Sequence, residues 1–473
     1  MMSGGWFSIA EPPEHQAAIG GFGGFGVLGQ LHDDCLTPEL RAHIEQKIAE
    51  YEAKTGAAHF SRQIEPEPYP FFPQAGILWQ DLFINNFVDL DPGSGIRDWD
   101  CSQYTYNGHP AWDSDIRSFQ EQVIGVPVFA ALDGTVVETR DGEFDMNTYP
   151  RQTPPNYVIL SHGNSHYSWY IHLKKDSVAV ATGQFVTAGT QLGLTGSSGP
   201  STNPHLHFQS MFEGNPYEPS AGRCRPGPSY WVHQTPIRRD LYLRGFSLSN
   251  VRFDSYAPLP FDDVPRTGTF VAGAGRLVSF RIQPGNLPAN STWRIRFRRP
   301  DGTIALDTSS PFYNSFYRES WWWWSYTLDL TMVGTWKLMF DISGRTLIEA
   351  PFDVVASASL IVNRPPNPIT MSFDPSMPTE NDAIFCRVQN SLVLGDPDSD
   401  IVRYRYQWSL NGAVVRDVTT AALSDAMAKG VAQASDSVTC TVTPSDGKAS
   451  GPAVTASLVV SRAFLLRTRP STQ

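Results

Sequence analysis

His205-Leu206-His207, set in the run Leu194-Thr195-Gly196-Ser197-Ser198-Gly199-Pro200-Ser201-Thr202-Asn203-Pro204-His205-Leu206-His207-Phe208, decides how this chain is read. A cluster of Gly, Ser and Pro gives way to a short alternation, so a loop feeding a strand is expected. Residues i and i+2 of a strand point to the same face, which would aim both imidazoles into one cleft. Paired imidazoles suit a metal site, because neutral imidazole is a ready zinc ligand near neutral pH. Two alternating His also occur on ordinary half-exposed strands, so the pair alone leaves both readings open.

Further segments bear on the choice. Gly108-His109-Pro110-Ala111-Trp112-Asp113 places an imidazole and a carboxylate four residues apart. On a helix that spacing is common surface decoration. Gly108 and Pro110 disfavour a helix, and His109, preceding proline, is pushed towards extended backbone. Ser168-Trp169-Tyr170-Ile171-His172-Leu173 is an aromatic and β-branched run with one His, plainly read as a strand with a solvent-facing imidazole. Gly183-Gln184-Phe185-Val186-Thr187-Ala188-Gly189-Thr190-Gln191-Leu192-Gly193 reads as two short strands around a turn.

Taken in order, these segments resemble the LytM/lysostaphin-type zinc metallopeptidases, family M23. The family order is an H-x-x-x-D segment, then one like Val126-Pro127-Val128-Phe129-Ala130-Ala131-Leu132-Asp133-Gly134-Thr135-Val136-Val137. A Tyr-x-His-Leu strand, a Val-x-x-Gly-x-x-Leu-Gly hairpin and a terminal His-x-His follow. All of these occur here in sequence, over roughly residues 101 to 215.

The resemblance implies an antiparallel-sheet peptidase core with His109, Asp113 and His207 as zinc ligands, and His172 and His205 as unliganded catalytic histidines. Three protein ligands leave a fourth tetrahedral position for water, as a catalytic zinc requires. Zinc lowers the pKa of such a water, and a nearby imidazole can take its proton while another stabilises the oxyanion or protonates the leaving amine. Asp115 competes with Asp113 for the carboxylate position, and the spacing favours Asp113. Two departures stand out. Ala111 replaces the Gly usual two residues after the first His, which matters only if that residue needs positive φ, and Trp112 is bulky for its place. Neither removes a ligand or a catalytic histidine.

The implied activity is zinc-dependent hydrolysis of peptide bonds in peptidoglycan stems or cross-bridges, often next to glycine or D-residues. The alternatives are an endopeptidase acting on other glycine-rich proteins, and a non-catalytic cell-wall-binding or scaffold protein. A chelator separates these classes, since an enzyme loses activity to it and regains activity with Zn²⁺.

The remaining composition fits that frame. The chain has 473 residues, long for one domain. Its formal charge is −11, with no basic stripe, which argues against nucleic acid as a partner. Charged residues are only 18% against 12% aromatics, with 38 Gly and 37 Pro, a profile of a mainly β, turn-rich protein. No apolar run approaches the roughly 18 to 20 residues of a membrane span. No Lys or Arg precedes Arg41 and glycines break Ala17 to Leu31, so no convincing signal peptide is read, although the family implies a secreted or envelope-facing protein.

Residues 1–100 are expected to form an N-terminal extension with one helix, in which Thr37-Pro38-Glu39-Leu40-Arg41 starts a pattern of Leu40, Ile44, Ile48 and Tyr51 running to about Ala53. Residues 101–236 form the peptidase domain. Strand alternation such as Leu277-Val278-Ser279-Phe280-Arg281-Ile282 and Trp293-Arg294-Ile295-Arg296-Phe297 predicts a β-sandwich over 240–357. In a strand, Trp321-Trp322-Trp323-Trp324 puts two indoles on each face. One pair then packs in the core, and the other is exposed, covers a neighbouring domain or offers a platform for sugar.

The stiff linker Asn363-Arg364-Pro365-Pro366-Asn367-Pro368 leads to a region, 363–462, followed by a tail over 463–473. Cys386, Trp408 and Cys440 there show the Cys, Trp, Cys order of immunoglobulin-like sandwiches. Gly395-Asp396-Pro397-Asp398-Ser399-Asp400 resembles the acidic turn of Ig-like or PKD-like modules, a plain turn or a calcium site. The Ig-like order implies a Cys386 to Cys440 disulfide, with Cys101 and Cys224 as a weaker second pair and Cys35 left over; the alternative is a pair of buried thiols.

Overall fold

The structure is a computed structural model that describes residues 36–56, 65–253, 261–312, 314–391 and 394–463, and the backbone of 19–26. Cys35 and the tail from residue 464 lie outside the described residues. The chain is mainly β. Among the described residues it comprises a glycine-rich strand β1 (Ile19–Gly26), one long helix α1 (Pro38–Thr55), and three groups of sheets that are antiparallel except for one short parallel pairing.

Helix α1 begins where the sequence predicts. Thr37 Oγ1 accepts the Leu40 N–H at 3.2 Å, Pro38 supplies a pre-set φ in the first turn, and Gly56 at φ 69° ends the helix two residues past Ala53. Leu40 and Ile44 are its buried stripe. They pack on Tyr157, Ile159, Tyr167, Trp169, Ile171 and Met211, one face of the central sheet.

That sheet is built from β2 (Phe83–Asn86), β3 (Trp112–Asp115), β5 (Gly134–Arg140), β6 (Tyr157–Gly163), β7 (His166–Ile171), β8 (Phe185–Val186), β10 (His205–Phe212) and β11 (Asn215–Pro216). Its order is β2-β3-β10-β7-β6-β5-β8, with β11 paired to β10, and every pairing is antiparallel. The short helix α2 (Phe119–Ile124) precedes a separate ribbon of β4 (Pro127–Phe129) with β9 (Gln191–Leu194). The face opposite α1 buries Ile84, Trp112, Val158, Leu160, Tyr170, Leu206 and Phe208. Alternation along β10 therefore leaves His205, His207, Gln209 and Met211 on the α1 side.

The two strands read around Gly189 are present but do not form a hairpin. Phe185–Val186 pairs with β5, while Gln191–Leu194 pairs with β4. The turn between them, closed by Thr190 N–H to Thr187 C=O at 3.0 Å, sends the chain from one sheet to the other. Strand β2, which the sequence leaves in the N-terminal extension, is the edge of the central sheet and pairs with the strand that carries Asp113.

Beyond residue 240, β12 (Tyr242–Ser249), β14 (Gly273–Leu287) and β17 (Tyr317–Leu330) join β1 in the order β1-β17-β14-β12. A five-stranded sheet contains β13 (Thr269–Val271), β15 (Thr292–Arg298), β16 (Ile304–Pro311), β18 (Gly334–Ile342) and β19 (Arg345–Val355). The two sheets share one core that includes Phe280, Ile282, Ile295, Phe297, Trp336 and Phe340. Trp322 and Trp324 enter that core, and Trp323 packs under Phe253 and Val264 with Trp321 beside it. Both faces of the tryptophan run are thus used in packing within the chain.

The last region pairs β20 (Thr370–Asp374), β21 (Ile384–Gln389) and β24 (Ser424–Met427) in one sheet. The facing sheet holds β22 (Arg403–Leu410), β23 (Ala413–Thr420), β25 (Ser437–Ser445) and β26 (Val454–Val459). In the acidic turn, Asp396 accepts the Asp398 and Asp400 N–H groups, Asp398 pairs with Arg364 and Asp400 with Lys448.

The cysteines reverse the expected ranking. Cys101 and Cys224 are bonded, with Cα atoms 5.1 Å apart, because the Gly222–Arg225 turn packs on Trp99 and Cys224 N–H bonds to the Trp99 carbonyl at 2.9 Å. Cys386 and Cys440 stand as fully buried thiols in the core around Trp408. Non-reducing peptide mapping is expected to recover the 101–224 cross-link together with alkylated Cys386 and alkylated Cys440. The crosslink closes a separation of 123 residues, so replacing both partners by serine should cost up to about 5 kcal/mol in urea unfolding.

Candidate metal and catalytic site

Antiparallel pairing of β3 with β10 sets His207 opposite Asp113 and His205 opposite Asp115, all on one face. His109 stands at the end of the loop leading to β3, held by Asp89 N–H to the His109 carbonyl at 2.7 Å and by its own ring to Phe87. His172 follows β7. In a continuing strand its side chain would face away from His207, but φ at His172 is +65°, which turns the ring back. Its centroid then lies 4.6 Å from that of His205 and 5.9 Å from that of His207. The solvent-facing reading of His172 is therefore replaced by a fully buried one.

All five residues are at most 5% exposed. One carboxylate oxygen of Asp113 lies 3.0 Å from His109 Nε2, and the other lies 3.0 Å from His207 Nδ1 and 3.8 Å from His205 Nε2. His109, Asp113 and His207 each offer one ligand atom, all within 4.8 Å of one another. Asn86 donates to Asp113 Oδ2 at 3.0 Å and fixes the carboxylate plane.

The ring protons show which atoms face inward. His109 Nδ1 donates to the Phe87 carbonyl at 2.9 Å, His172 Nδ1 to Ser198 at 2.7 Å, and His205 Nδ1 to Asn203 at 2.9 Å. Such a ring, when neutral, has a bare Nε2, and all three Nε2 atoms are buried without a hydrogen-bond partner. His207 is the mirror case. Its Nδ1 lies 3.0 Å from Asp113 Oδ1, and Gln209 Oε1 lies 3.4 Å from Nε2, where it can accept the proton of the tautomer that a metal at Nδ1 requires. Bare ring nitrogens aimed at a carboxylate repel it unless a cation lies between them, so the donor set fits a divalent metal that takes nitrogen and oxygen ligands.

Electrostatics agree with this geometry. Burial pushes Asp113 up, but charge and hydrogen bonds from His109 and His207 outweigh it and hold the carboxyl well below the usual range when those rings carry the proton, the part a bound cation takes over when they do not. Burial and the neighbouring rings push His172 well down, and burial lowers His207, keeping both in the neutral form that ligates or accepts a proton.

Asp115, the competing carboxylate, is otherwise engaged. Arg244 donates to its Oδ2 at 3.0 Å and Asn203 to its Oδ1 at 2.9 Å. Ala111 is not among the positive-φ residues, so the missing glycine costs nothing. The bulk of Trp112 is buried, its indole N–H reaching Glu218 at 2.9 Å. The sequence reading did not find Asn86, Asn203, Gln209 or Arg244. None lies in a motif, and only Gln209, two residues beyond His207, could be placed on the site face by alternation.

The comparisons with known proteins fall on this region. Residues 118–219 match the profile of Peptidase family M23, which includes His172, His205 and His207 and begins after His109 and Asp113. The peptidoglycan DD-endopeptidase ShyA of Vibrio cholerae is 39% identical over 93 residues, 20% of this chain and 19% of that protein. Lysostaphin of Staphylococcus simulans is 29% identical over 168 residues, 32% of each chain, and the glycyl-glycine endopeptidase ALE-1 of Staphylococcus capitis is 38% identical over 88 residues, 19% of this chain and 22% of that one. The chain thus spans about a fifth to a third of these relatives. Among solved structures, the catalytic domain of lysostaphin aligns at 26% identity over 29% of this chain and 86% of that chain, with a TM-score of 0.19.

Two further histidines lie in the same sheet but outside the cluster. His162 bonds Asp133 C=O and Ser168 Oγ, each at 2.8 Å, and His166 Nε2 sits 3.1 and 2.9 Å from the Tyr69 and Tyr217 hydroxyls. Burial lowers His162 to about 4 and His166 to about 2. The unfolded chain binds these protons near pH 6.5 and the folded one does not, so their contribution to stability is complete above pH 6.5 and falls as pH drops towards 4. Urea midpoints of His162→Gln should lose less stability between pH 7.5 and 5 than the wild type. An unchanged slope would show that His162 does not titrate as its burial requires.

Proposed function

We propose that this chain is a secreted or envelope-facing zinc endopeptidase that hydrolyses peptide bonds of peptidoglycan stems or cross-bridges. The observation that carries this reading is the convergence of buried ring nitrogens of His109 and His207 on the Asp113 carboxylate, with His172 and His205 beside them. The match to Peptidase family M23 and to cell-wall endopeptidases supports it. So does the disulfide, which belongs to an oxidising compartment. Among the described residues no helix is long and apolar enough to cross a membrane.

His109 Nε2, Asp113 and His207 Nδ1 would hold the metal. When bound, zinc supplies a Lewis acid that polarises a carbonyl and acidifies water. Asp113 gives the site one negative charge, and the Asn86 amide donates to it. His205, anchored through Nδ1, has its Nε2 free to take a proton and return it to a leaving amine. His172, equally anchored through Nδ1, can accept a proton at Nε2 and, once it carries that proton, donate to charge developing on the substrate. The buried floor excludes water from competing with these contacts. Residues 101–236 are proposed as the peptidase domain, with 240–357 and 363–462 as two β-sandwich domains.

Zymography on purified peptidoglycan, followed by mass identification of the released ends, tests activity and substrate together. Activity should vanish with a chelator and return with Zn²⁺. His207→Ala should lose tight zinc binding, and full occupancy by elemental analysis after dialysis would remove it from the ligand set. His172→Ala and His205→Ala should keep zinc and lose roughly two to four orders of magnitude in rate.

A further inference from the structure

Two arginines from the sheet beyond residue 240 reach into the active-site strands, each delivered by a local irregularity. In the β12–β14 pairing, Leu243 faces Pro284 and Gly245 faces Gln283, so Arg244 is the extra residue of a β-bulge. A bulge re-aims a side chain out of the regular alternation. Arg244 is only 7% exposed and forks between Glu319 on its own sheet and Asp115 on β3. Its guanidinium also lies 4.7 Å over the Phe83 ring on β2. Asp115 in turn receives Asn203 Nδ2 at 2.9 Å, and the Asn203 carbonyl accepts the His205 Nδ1 proton at 2.9 Å. The path from the second sheet to the His205 ring is therefore Arg244, Asp115, Asn203, His205.

The second path ends on a different atom. In the β2–β3 pairing, Ile84 faces Ser114 and Asn86 faces Asp113, so Asn85 is the extra residue of a bulge on the other side of the junction. Arg318 of β17 donates to Asn85 Oδ1 at 3.0 Å and to Asn86 Oδ1 at 3.5 Å. With its Oδ1 turned to Arg318, Asn86 directs Nδ2 to Asp113 Oδ2 at 3.0 Å. Arg318 and Glu319 are neighbours on β17, so one strand feeds both paths.

We infer that the sheet bearing Arg244 and Arg318 is part of the catalytic apparatus and not only an attached module: Arg318 positions the metal-ligating carboxylate of Asp113, and Arg244 positions the His205 imidazole. This rests on the ligand and histidine roles proposed above. The two residues act through others, so they are positioning residues with separable effects. Loss of an interaction behind a metal ligand weakens metal binding, typically about 10- to 100-fold. Loss of one behind a proton-transfer group lowers turnover and leaves metal affinity alone.

The test uses the full chain and two readouts, zinc affinity by competition with a chromophoric chelator and steady-state hydrolysis of soluble peptidoglycan fragments at saturating zinc. Arg318→Met should raise the zinc dissociation constant about 10-fold, and kcat should recover once zinc saturates. Arg244→Met should lower kcat about 10-fold or more with KM and zinc affinity unchanged. Arg244→Met leaves buried carboxylates without their partner, so Arg244→Lys, which keeps a cation for Asp115, is measured beside it and should restore part of kcat. Equal losses of zinc affinity and kcat in both arginine variants, tracking a fall in melting temperature, would reduce both residues to structural support and overturn the inference. So would wild-type values in both, or failure of both Arg244 variants to fold. If the wild type binds zinc but hydrolyses nothing, the proposed function fails, while the zinc readout on Arg318→Met still decides whether that residue positions Asp113.

Discussion

Register between β3 and β10 is the constraint on which the site depends. Side chains in a strand alternate with a period of two, so slipping one strand by a single residue would send His205 and His207 to the hydrophobic face and Leu206 and Phe208 to the face that carries Asp113. The burial of Leu206 and Phe208 against Trp112 and Tyr170 therefore does more than stabilise the sheet. It penalises the wrong register with two exposed apolar side chains and two buried unpartnered imidazoles, and so holds His207 opposite Asp113.

A site assembled from nitrogens and a carboxylate pays its electrostatic cost in advance. Three backbone carbonyls, from Phe87, Ser198 and Asn203, fix the ring protons of His109, His172 and His205 on the outer nitrogens. Because those carbonyls belong to loops braced by the sheet, the inner nitrogens stay bare and oriented with no metal needed to align them. The +65° φ of His172 belongs to the same logic. A strained backbone angle is tolerated because the hydrogen bond to Ser198 and stacking on His205 over-determine the ring position.

Most of the site was legible from the sequence because its residues sit in short motifs whose spacing follows from strand geometry. His-x-His needs only a period of two, and the helix start at Thr37-Pro38 needs only capping chemistry. What escaped the reading is what depends on partners far along the chain. The strands around Gly189 pair with β5 and β4, and no local pattern says so. The Cys, Trp, Cys order brought Cys386, Trp408 and Cys440 into one core without joining the sulfurs, since order along the chain fixes neighbourhood but not bonding. Conversely, Cys101 and Cys224 had no pattern, and only the packing of a glycine turn on Trp99 brings them together.

The same distinction explains the bulges. An extra residue in a strand is invisible to hydrophobic periodicity, yet it is how Arg244 and Asn85 leave the regular alternation of their sheets. Both bulges lie where the sheet of β12, β14 and β17 meets the sheet of β2 and β3, and both end in hydrogen bonds one residue removed from the site. A buried ion group of this kind adds little net stability over an apolar contact, since desolvation of Asp115, Arg244 and Glu319 offsets their attraction. What it does add is direction: a guanidinium held between two carboxylates admits one arrangement of the two sheets, whereas apolar surfaces tolerate several. The junction is therefore built from the one interaction type that fixes orientation at the place where orientation reaches the histidines.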